Sequence, residues 1–301
     1  RFINIMLRIL KNTDVKFMSL KKIPVALSSI LLVISLFSII FKGFNFGIDF
    51  SSGYIVQLKF DQQISVLDIQ NKFSQNNIDD VSVQLYGSSK DILLKLKDDE
   101  LFQQKNINNY LNEIFSDNSF TISKLEYVGS QVGSELREKG EWAMLIALFS
   151  ILIYVAMRFE LIYGLGAITA LIHDVIITLG IFSFFDLTFD LSVLAAVLAV
   201  IGYSLNDSIV VFDRIRENNI VLRKLSIVDV LDKSINQTLS RTLVTSLTTL
   251  LVIFSLLIFG GDAVRNFSIA MFIGIVVGTY SSIFVASASL SYFGIKRPEE
   301  L

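Results

Sequence analysis

The 301-residue chain is 52% hydrophobic and 18% charged, with a mean hydropathy of +0.61, whereas a soluble domain has about 45–50% apolar and about 25% charged residues. The formal charge of −2 predicts nothing about partners, because the basic residues are segregated along the chain, and no nucleic-acid partner is expected. Cysteine is absent, which excludes disulfides, thiolate metal sites and cysteine nucleophiles, and there is a single histidine.

A helix needs about 20 mostly apolar residues to cross about 30 Å of hydrocarbon. The first such run, residues 23–41, contains no charge. Residues 1–22 precede it and no small-residue cleavage site follows, so it reads as an uncleaved anchor and not as a signal peptide. A water-soluble segment comes next. Tyr54, Val56, Leu58 and Phe60 alternate with polar residues, the period of a half-buried strand. Residues 65–78 place Val66, Ile69 and Phe73 on one helical face. Residues 81–86 and 91–97 read as short strands joined by Gly87-Ser88-Ser89. Residues 99–115 carry Ile107, Leu111 and Ile114 on one stripe, and 120–128 return as a strand. The order βαββαβ is the ferredoxin-like pattern, in a domain with joints spanning residues 42–139. No catalytic cluster is visible in it.

Five further apolar runs follow, at 142–157, 161–185, 191–212, 239–259 and 267–293, the second and third separated by Arg158-Phe159-Glu160. The fold class predicted is therefore a membrane α-helical protein with six transmembrane helices and one extracytoplasmic α/β domain. Orientation follows from the bias of lysine and arginine in short loops. Residues 1–22 hold Arg1, Arg8, Lys11, Lys16, Lys21 and Lys22, and the segment after the fourth span holds Arg214, Arg216, Arg223, Lys224 and Lys233. The tail adds Lys296 and Arg297, whereas the loops at 185–190 and 260–266 hold only Arg265. This places residues 1–22, 213–238 and 296–301 in the cytoplasm and the α/β domain outside.

Ionisable residues at membrane depth usually mark an ion path or a helix contact. Asn206 and Asp207 lie near the end of the fourth apolar run, and Ala195, Ala199, Gly202 and Asn206 share one face there. Thr238, Arg241, Thr245 and Thr248 form a polar stripe at the start of the fifth. His173-Asp174 falls near the middle of the third. A carboxylate near a guanidinium takes up and releases a proton as its partner moves. The plainer alternatives stay open: Arg241 snorkelling to the interface, Asp207 held by Asn206 and hydroxyls, and His173-Asp174 as glue between helices. In the sixth span Gly274, Gly278, Ser282 and Ala286 repeat every four residues, a small face for either internal packing or a partner.

Several motifs, taken in chain order, carry a resemblance. They are Gly47-Ile48-Asp49-Phe50, Val128-Gly129 with Val132-Gly133, Ala170-Leu171-Ile172-His173-Asp174, the long run from Ile201-Gly202-Tyr203-Ser204-Leu205-Asn206-Asp207 through Asp213-Arg214-Ile215-Arg216-Glu217-Asn218, Asn236-Gln237-Thr238-Leu239-Ser240-Arg241-Thr242, and Gly260-Gly261. Together they resemble the SecD/SecF family of the bacterial protein-export machinery, a branch of the RND superfamily, on its SecF side. Two departures lie at the joints: Ser52-Gly53 stands where the family usually has two glycines, and Ser130 where a proline is frequent. The resemblance implies an accessory subunit in the inner membrane whose partner SecD supplies a second six-span half. It would act beside the SecYEG channel after the ATPase SecA, with YajC and YidC as further candidate partners, and draw on the proton-motive force. It places proton coupling at Asp207 and Arg241, with another carboxylate from SecD, and leaves Asn206, Thr245, His173 and Asp174 as supporting polar residues. No cofactor or metal is implied. Rival readings are a small-molecule exporter, an intramembrane protease using Asp174 and Asp207 as a dyad, and a passive scaffold. Sodium remains open as the coupling ion.

Overall fold

The computed structural model describes residues 13–295 except 77, 79–80, 87, 99–106, 117 and 160. Arg1, Arg8, Lys11, Gly87, Glu160, Lys296, Arg297 and the first half of the helix expected at 99–115 therefore lie outside the described residues. Among the described residues six helices are long and apolar enough to cross a membrane: α1 (Lys22–Phe41), α4 (Ser130–Arg158), α5 (Leu161–Phe184), α6 (Leu191–Val221), α7 (Ile227–Phe259) and α8 (Arg265–Phe293). Helices α5, α6 and α8 form the interior, while α1, α4 and α7 flank them with most of their surface open.

In lipid there is no hydrophobic drive to hide leucine, so helix contacts are made by small and hydroxyl residues. Helix α1 shows this inversion: its buried residues are Ser28, Ser35 and Ser38, while Ile23, Phe37, Ile40 and Phe41 face outward. Ser38 bonds Ser183 of α5 at 2.9 Å, and Ser35 packs directly on Gly180, where a Cβ would collide with its side chain and backbone. The helix stops where Gly43 takes a positive φ of 74°, which favours glycine. The small face of α8 is an internal seam. Gly274 meets Val200, and a Cβ on Gly278 would lie 3.0 Å from Ser204 of α6, while Ser282 and Ala286 are buried.

Three helices run beyond the apolar stretches that reveal them: α4 begins at Ser130, α6 continues to Val221 and α7 begins at Ile227. Hydropathy reports only the part that lipid covers; the extensions are polar helix held by local contacts. Glu135 pairs with Lys139 at 2.7 Å and Arg137 with Glu141 at 3.1 Å, both i,i+4. Ser226 caps α7 by accepting from Asp229 N–H at 3.1 Å while its hydroxyl donates to the Asp229 carboxylate at 2.6 Å.

Between α1 and α4 lies the α/β domain, with β2 (Gly53–Phe60), α2 (Val66–Gln75), β3 (Val81–Tyr86), β4 (Ser88–Lys97), α3 (Ile107–Ile114) and β5 (Phe120–Val128). All neighbouring strands are antiparallel in the order β3-β4-β2-β5, the ferredoxin-like arrangement. Its core is Val56, Leu58, Phe60, Ile69, Phe73, Ile92, Leu94, Leu96, Leu111 and Phe115, drawn from the alternating strands and the inner helix faces. Ser88 and Ser89, expected in the turn, belong to β4, whose pairing shifts register after Leu85 so that Tyr86 opposes Ser88.

The domain is fastened to the bundle by a short parallel pair, β1 (Asn45–Phe46) with β6 (Thr188–Phe189). Each residue of Gly47-Ile48-Asp49-Phe50 has a task there. Gly47 N–H donates to Phe189 O at 2.9 Å, Ile48 is buried, the Asp49 carboxylate accepts from Leu191 N–H at 3.2 Å, and Phe50 packs on Phe189 at 5.7 Å. Asp190 accepts from Val193 N–H at 3.1 Å, so two carboxylates sit at the positive end of α6. Gly133 lies against the Ser51 backbone and Gly53 against that of Leu96, approaches that a Cβ would block.

Candidate functional site

Two buried carboxylates define the polar interior, Asp174 on α5 and Asp207 on α6, with 1% and 3% exposure. They sit in separate shells and share no partner.

Asp174 is fully engaged. Ser204 of α6 donates to its Oδ2 at 2.5 Å and Ser281 of α8 donates to the same oxygen at 2.7 Å. Its Oδ1 lies 2.8 Å from His173 Nδ1. The other ring nitrogen of His173 lies 3.1 Å from Ser28 Oγ on α1, and Ser28 Oγ lies 3.0 Å from the Tyr280 hydroxyl on α8. Tyr280 in turn donates to Pro24 O at 2.7 Å, and its ring stacks on His173 at 6.2 Å. Adjacent residues of a helix point about 100° apart, yet the side chains of residues 173 and 174 meet. The resulting cluster ties four helices together, α1, α5, α6 and α8.

Asp207 has a sparser shell. Its side-chain partner is the Ser246 hydroxyl of α7 at 3.5 Å, which itself receives the Thr279 hydroxyl of α8 at 2.7 Å. On the same two helices, the hydroxyls of Ser208 and Thr242 are buried without a hydrogen-bond partner among the described residues. Because α6 continues to Val221, Asp207 is a mid-helix residue. Arg241 lies on the exposed face of α7 and forms no ion pair with Asp207. Asn206 is exposed as well, on the face that carries Ala195, Ala199 and Gly202, all of them open. Around Gly202 the space is empty to 4 Å. In the stripe on α7, Thr238 is buried and donates to Ser234 O at 3.0 Å, while the Thr245 and Thr248 hydroxyls also bond to carbonyls of their own helix.

The structure thus brings His173 and Asp174 into one cluster and keeps Asp207 and Arg241 apart. The residues 279–281 link the two shells. Thr279 reaches the Asp207 side through Ser246, Tyr280 reaches α1, and Ser281 reaches Asp174. Ser28, Ser246, Thr279, Tyr280 and Ser281 were not singled out from the sequence. A hydroxyl within an apolar helix is usually satisfied by its own backbone, so nothing local marks it as a contact.

Known proteins bear on this geometry. The family described as "Protein export membrane protein SecD/SecF, C-terminal" matches residues 106–296, and the "SecD/SecF GG Motif" matches residues 37–64, which holds the joint described above. The chain belongs to the SecD/SecF family. Among its relatives, the protein translocase subunit SecF of Pseudomonas aeruginosa is 44% identical over 286 residues, covering 95% of this chain and 94% of the relative. That of Calditerrivibrio nitroreducens is 48% identical over 288 residues, covering 93% and 95%. The crystal structure of SecDF, a translocon-associated membrane protein from Thermus thermophilus, superposes with a TM-score of 0.77 at 39% identity. The match covers 93% of this chain but only 39% of the SecDF chain, so this protein corresponds to a part of that larger molecule.

Proposed function

We propose that the chain is the SecF-type accessory subunit of a Sec protein translocase, half of an ion-driven motor whose other six-helix half is a SecD-type partner. The pair draws on the proton-motive force across a bacterial inner membrane to help pull exported polypeptides outward beside the SecYEG channel, after SecA has acted. YajC and YidC are further partners in this reading. The termini are cytoplasmic and the α/β domain is outside, as the distribution of lysine and arginine favours.

The observation that carries this reading is Asp207, a carboxylate buried within a membrane helix with one long hydrogen bond. The shell of Asp174, by contrast, is filled by three partners. An under-bonded carboxylate has room to change its protonation state and its partner. Arg241 lies on the neighbouring helix α7, in no ion pair among the described residues, and its approach to Asp207 is the rearrangement proposed to accompany proton release. The open face of Ala195, Ala199, Gly202 and Asn206 is where a partner helix fits, adding the further carboxylate beside Asp207.

The test is export into sealed inner-membrane vesicles under an imposed proton or sodium gradient. Stimulation by a proton gradient, lost in Asp207→Asn, is expected. Stimulation that persists unchanged in Asp207→Asn leaves a passive scaffold, and stimulation by sodium alone reassigns the ion.

A further inference from the structure

The hydrogen-bond chain from His173 to Pro24 contains more contacts than its hydroxyls have protons. Tyr280 has one proton, which it gives to Pro24 O at 2.7 Å. Ser28 has one, which serves either its 3.1 Å contact with His173 Nε2 or its 3.0 Å contact with Tyr280, but not both. The His173 Nδ1 to Asp174 Oδ1 contact at 2.8 Å needs another. Ser204 and Ser281 spend theirs on Asp174 Oδ2. All four contacts of the chain are made only when the histidine–aspartate pair supplies two protons, one shared between Nδ1 and Oδ1 and one on Nε2. A carboxylate beside a neutral imidazole supplies one.

We propose that His173 and Asp174 together form a second proton-binding site, occupied in this arrangement, whose proton completes the polar ties of α1 to α5 and α8 at Ser28. Two placements satisfy the count: an imidazolium beside a carboxylate, or a carboxylic acid beside an imidazole protonated on Nε2. Each leaves the pair with zero net charge, the form that a low-dielectric interior favours. With the His173–Asp174 and Tyr280–Pro24 bonds kept, loss of the proton leaves a net negative pair and breaks one link at Ser28, either to His173 or to Tyr280. Either break leaves Ser28 with one polar tie instead of two, while the Tyr280–Pro24 bond remains. Helix α1 leads directly into β1 and the joint, so the protonation of this pair biases how firmly the domain is anchored. The proton count stands by itself; the claim that release moves the domain during export rests on the ion-driven reading above.

The titratable groups facing the pair are few. Helix α8 presents Tyr280, and α6 presents Ser204 with Asp207 one turn further along. Helix α1 has no charged residue between Ile23 and Phe41, and α4 none between Trp142 and Met157. Arg241 is on α7 and exposed.

One substitution mimics the protonated state. In Asp174→Asn the amide oxygen accepts from Ser204 and Ser281, the amide nitrogen donates to Nδ1, and Nε2–H donates to Ser28, so every link is kept without a titrating carboxylate. The chain lacks cysteine, so a trifluoromethyl tag on Leu27→Cys, on the lipid-facing side of α1, reports this helix alone by fluorine NMR in the reconstituted complex with its partner. The native pair is expected to give two tag signals whose populations change with pH. Asp174→Asn is expected to hold the low-pH signal across the range while unfolding at the native temperature. His173→Gln, which removes the chain, is expected to show only the high-pH signal. A native tag that does not titrate, or a midpoint in Asp174→Asn within half a pH unit of native, overturns the proposal. Vesicle export by Asp207→Asn fails or succeeds independently of this readout, so the two readings fall separately.

Discussion

Val15 and Asn236 exchange two hydrogen bonds: Val15 N–H donates to Asn236 Oδ1 at 3.0 Å, and the amide Nδ2 donates back to Val15 O at 2.8 Å. Three residues on, Met18 N–H donates to the Asp232 carboxylate at 2.7 Å, and Phe17 and Met18 are buried against the bundle. The segment before α1 is thereby bound to the extension of α7 that hydropathy does not reveal. Replacing Asn236 with alanine removes both exchanged bonds, each with a net worth of about 1 kcal/mol. Deuterium uptake in residues 13–18 is expected to accelerate about tenfold in Asn236→Ala while the helix centres stay protected. Equal uptake in both proteins shows that the burial of Phe17 and Met18 suffices.

Gly180 of α5 offers a different kind of contact with α1. Any Cβ there collides with Ser35, whose backbone is part of the obstruction, so a rotamer change cannot relieve it. Overpacking of this sort costs about 1–3 kcal/mol. Gly180→Val is expected to lower the unfolding temperature in detergent and to loosen Ser38 from Ser183 one turn away. Gly261→Ala in the last loop probes a glycine of the other type, with open space but a φ of 70°; its effect is backbone strain only, and a drop in unfolding temperature larger than that of Gly180→Val contradicts this ranking.

The six membrane-crossing helices and the small sheet were legible because each rests on a periodicity or a run. Val56, Leu58 and Phe60 alternate as they must on a half-buried strand, and the six apolar runs exceed what a soluble core needs. The buried ionisable residues were equally visible, since an aspartate in an apolar helix has few explanations. Their partners were not. Ser28 and Ser281 look in sequence like any other membrane serine, and only the packing of α1 and α8 on α5 makes them ligands of His173 and Asp174. The long α7 was missed for another reason. Ser226 and Asp229 form a capping pair that is readable in sequence, but the polar turns that follow carry no hydropathy signal.

Tyr127 on β5 donates its phenolic proton to Asp98 Oδ2 at 2.7 Å. This hydrogen bond, with smaller contributions from desolvation and from the charge of Asp98, stabilises the protonated phenol and raises its pKa above the usual value near 10. The sign is testable by spectroscopic titration of tyrosinate, taken as the difference between native protein and Tyr127→Phe. Ionisation of Tyr127 is expected at higher pH than that of a free tyrosine, and Asp98→Asn is expected to bring it down. A Tyr127 midpoint that does not move in Asp98→Asn removes the carboxylate as the cause.

Gly202 and Gly274 separate the surface proposed for the partner from the seam within the chain. Gly274 is filled in by Val200, and a larger side chain there must push α8 from α6. Gly202 has nothing within 4 Å of an added Cβ, and it lies on the same open face as Ala195, Ala199 and Asn206. Small residues left open on a membrane helix allow close approach by another backbone, and lipid alone gives no reason to prefer them. Leucine at position 202 costs the isolated chain little, within about 0.5 kcal/mol as for other surface changes, but it holds a partner helix away. Gly202→Leu is therefore expected to unfold at the native temperature while its recovery with a co-expressed SecD-type partner falls about tenfold, a difference of about 1.4 kcal/mol. Gly274→Leu is expected to fail at the first step, with little folded chain recovered. If Gly202→Leu pairs with the partner as well as the native protein does, the contact surface lies on another face, and the sparse shell of Asp207 must then be explained from within this chain.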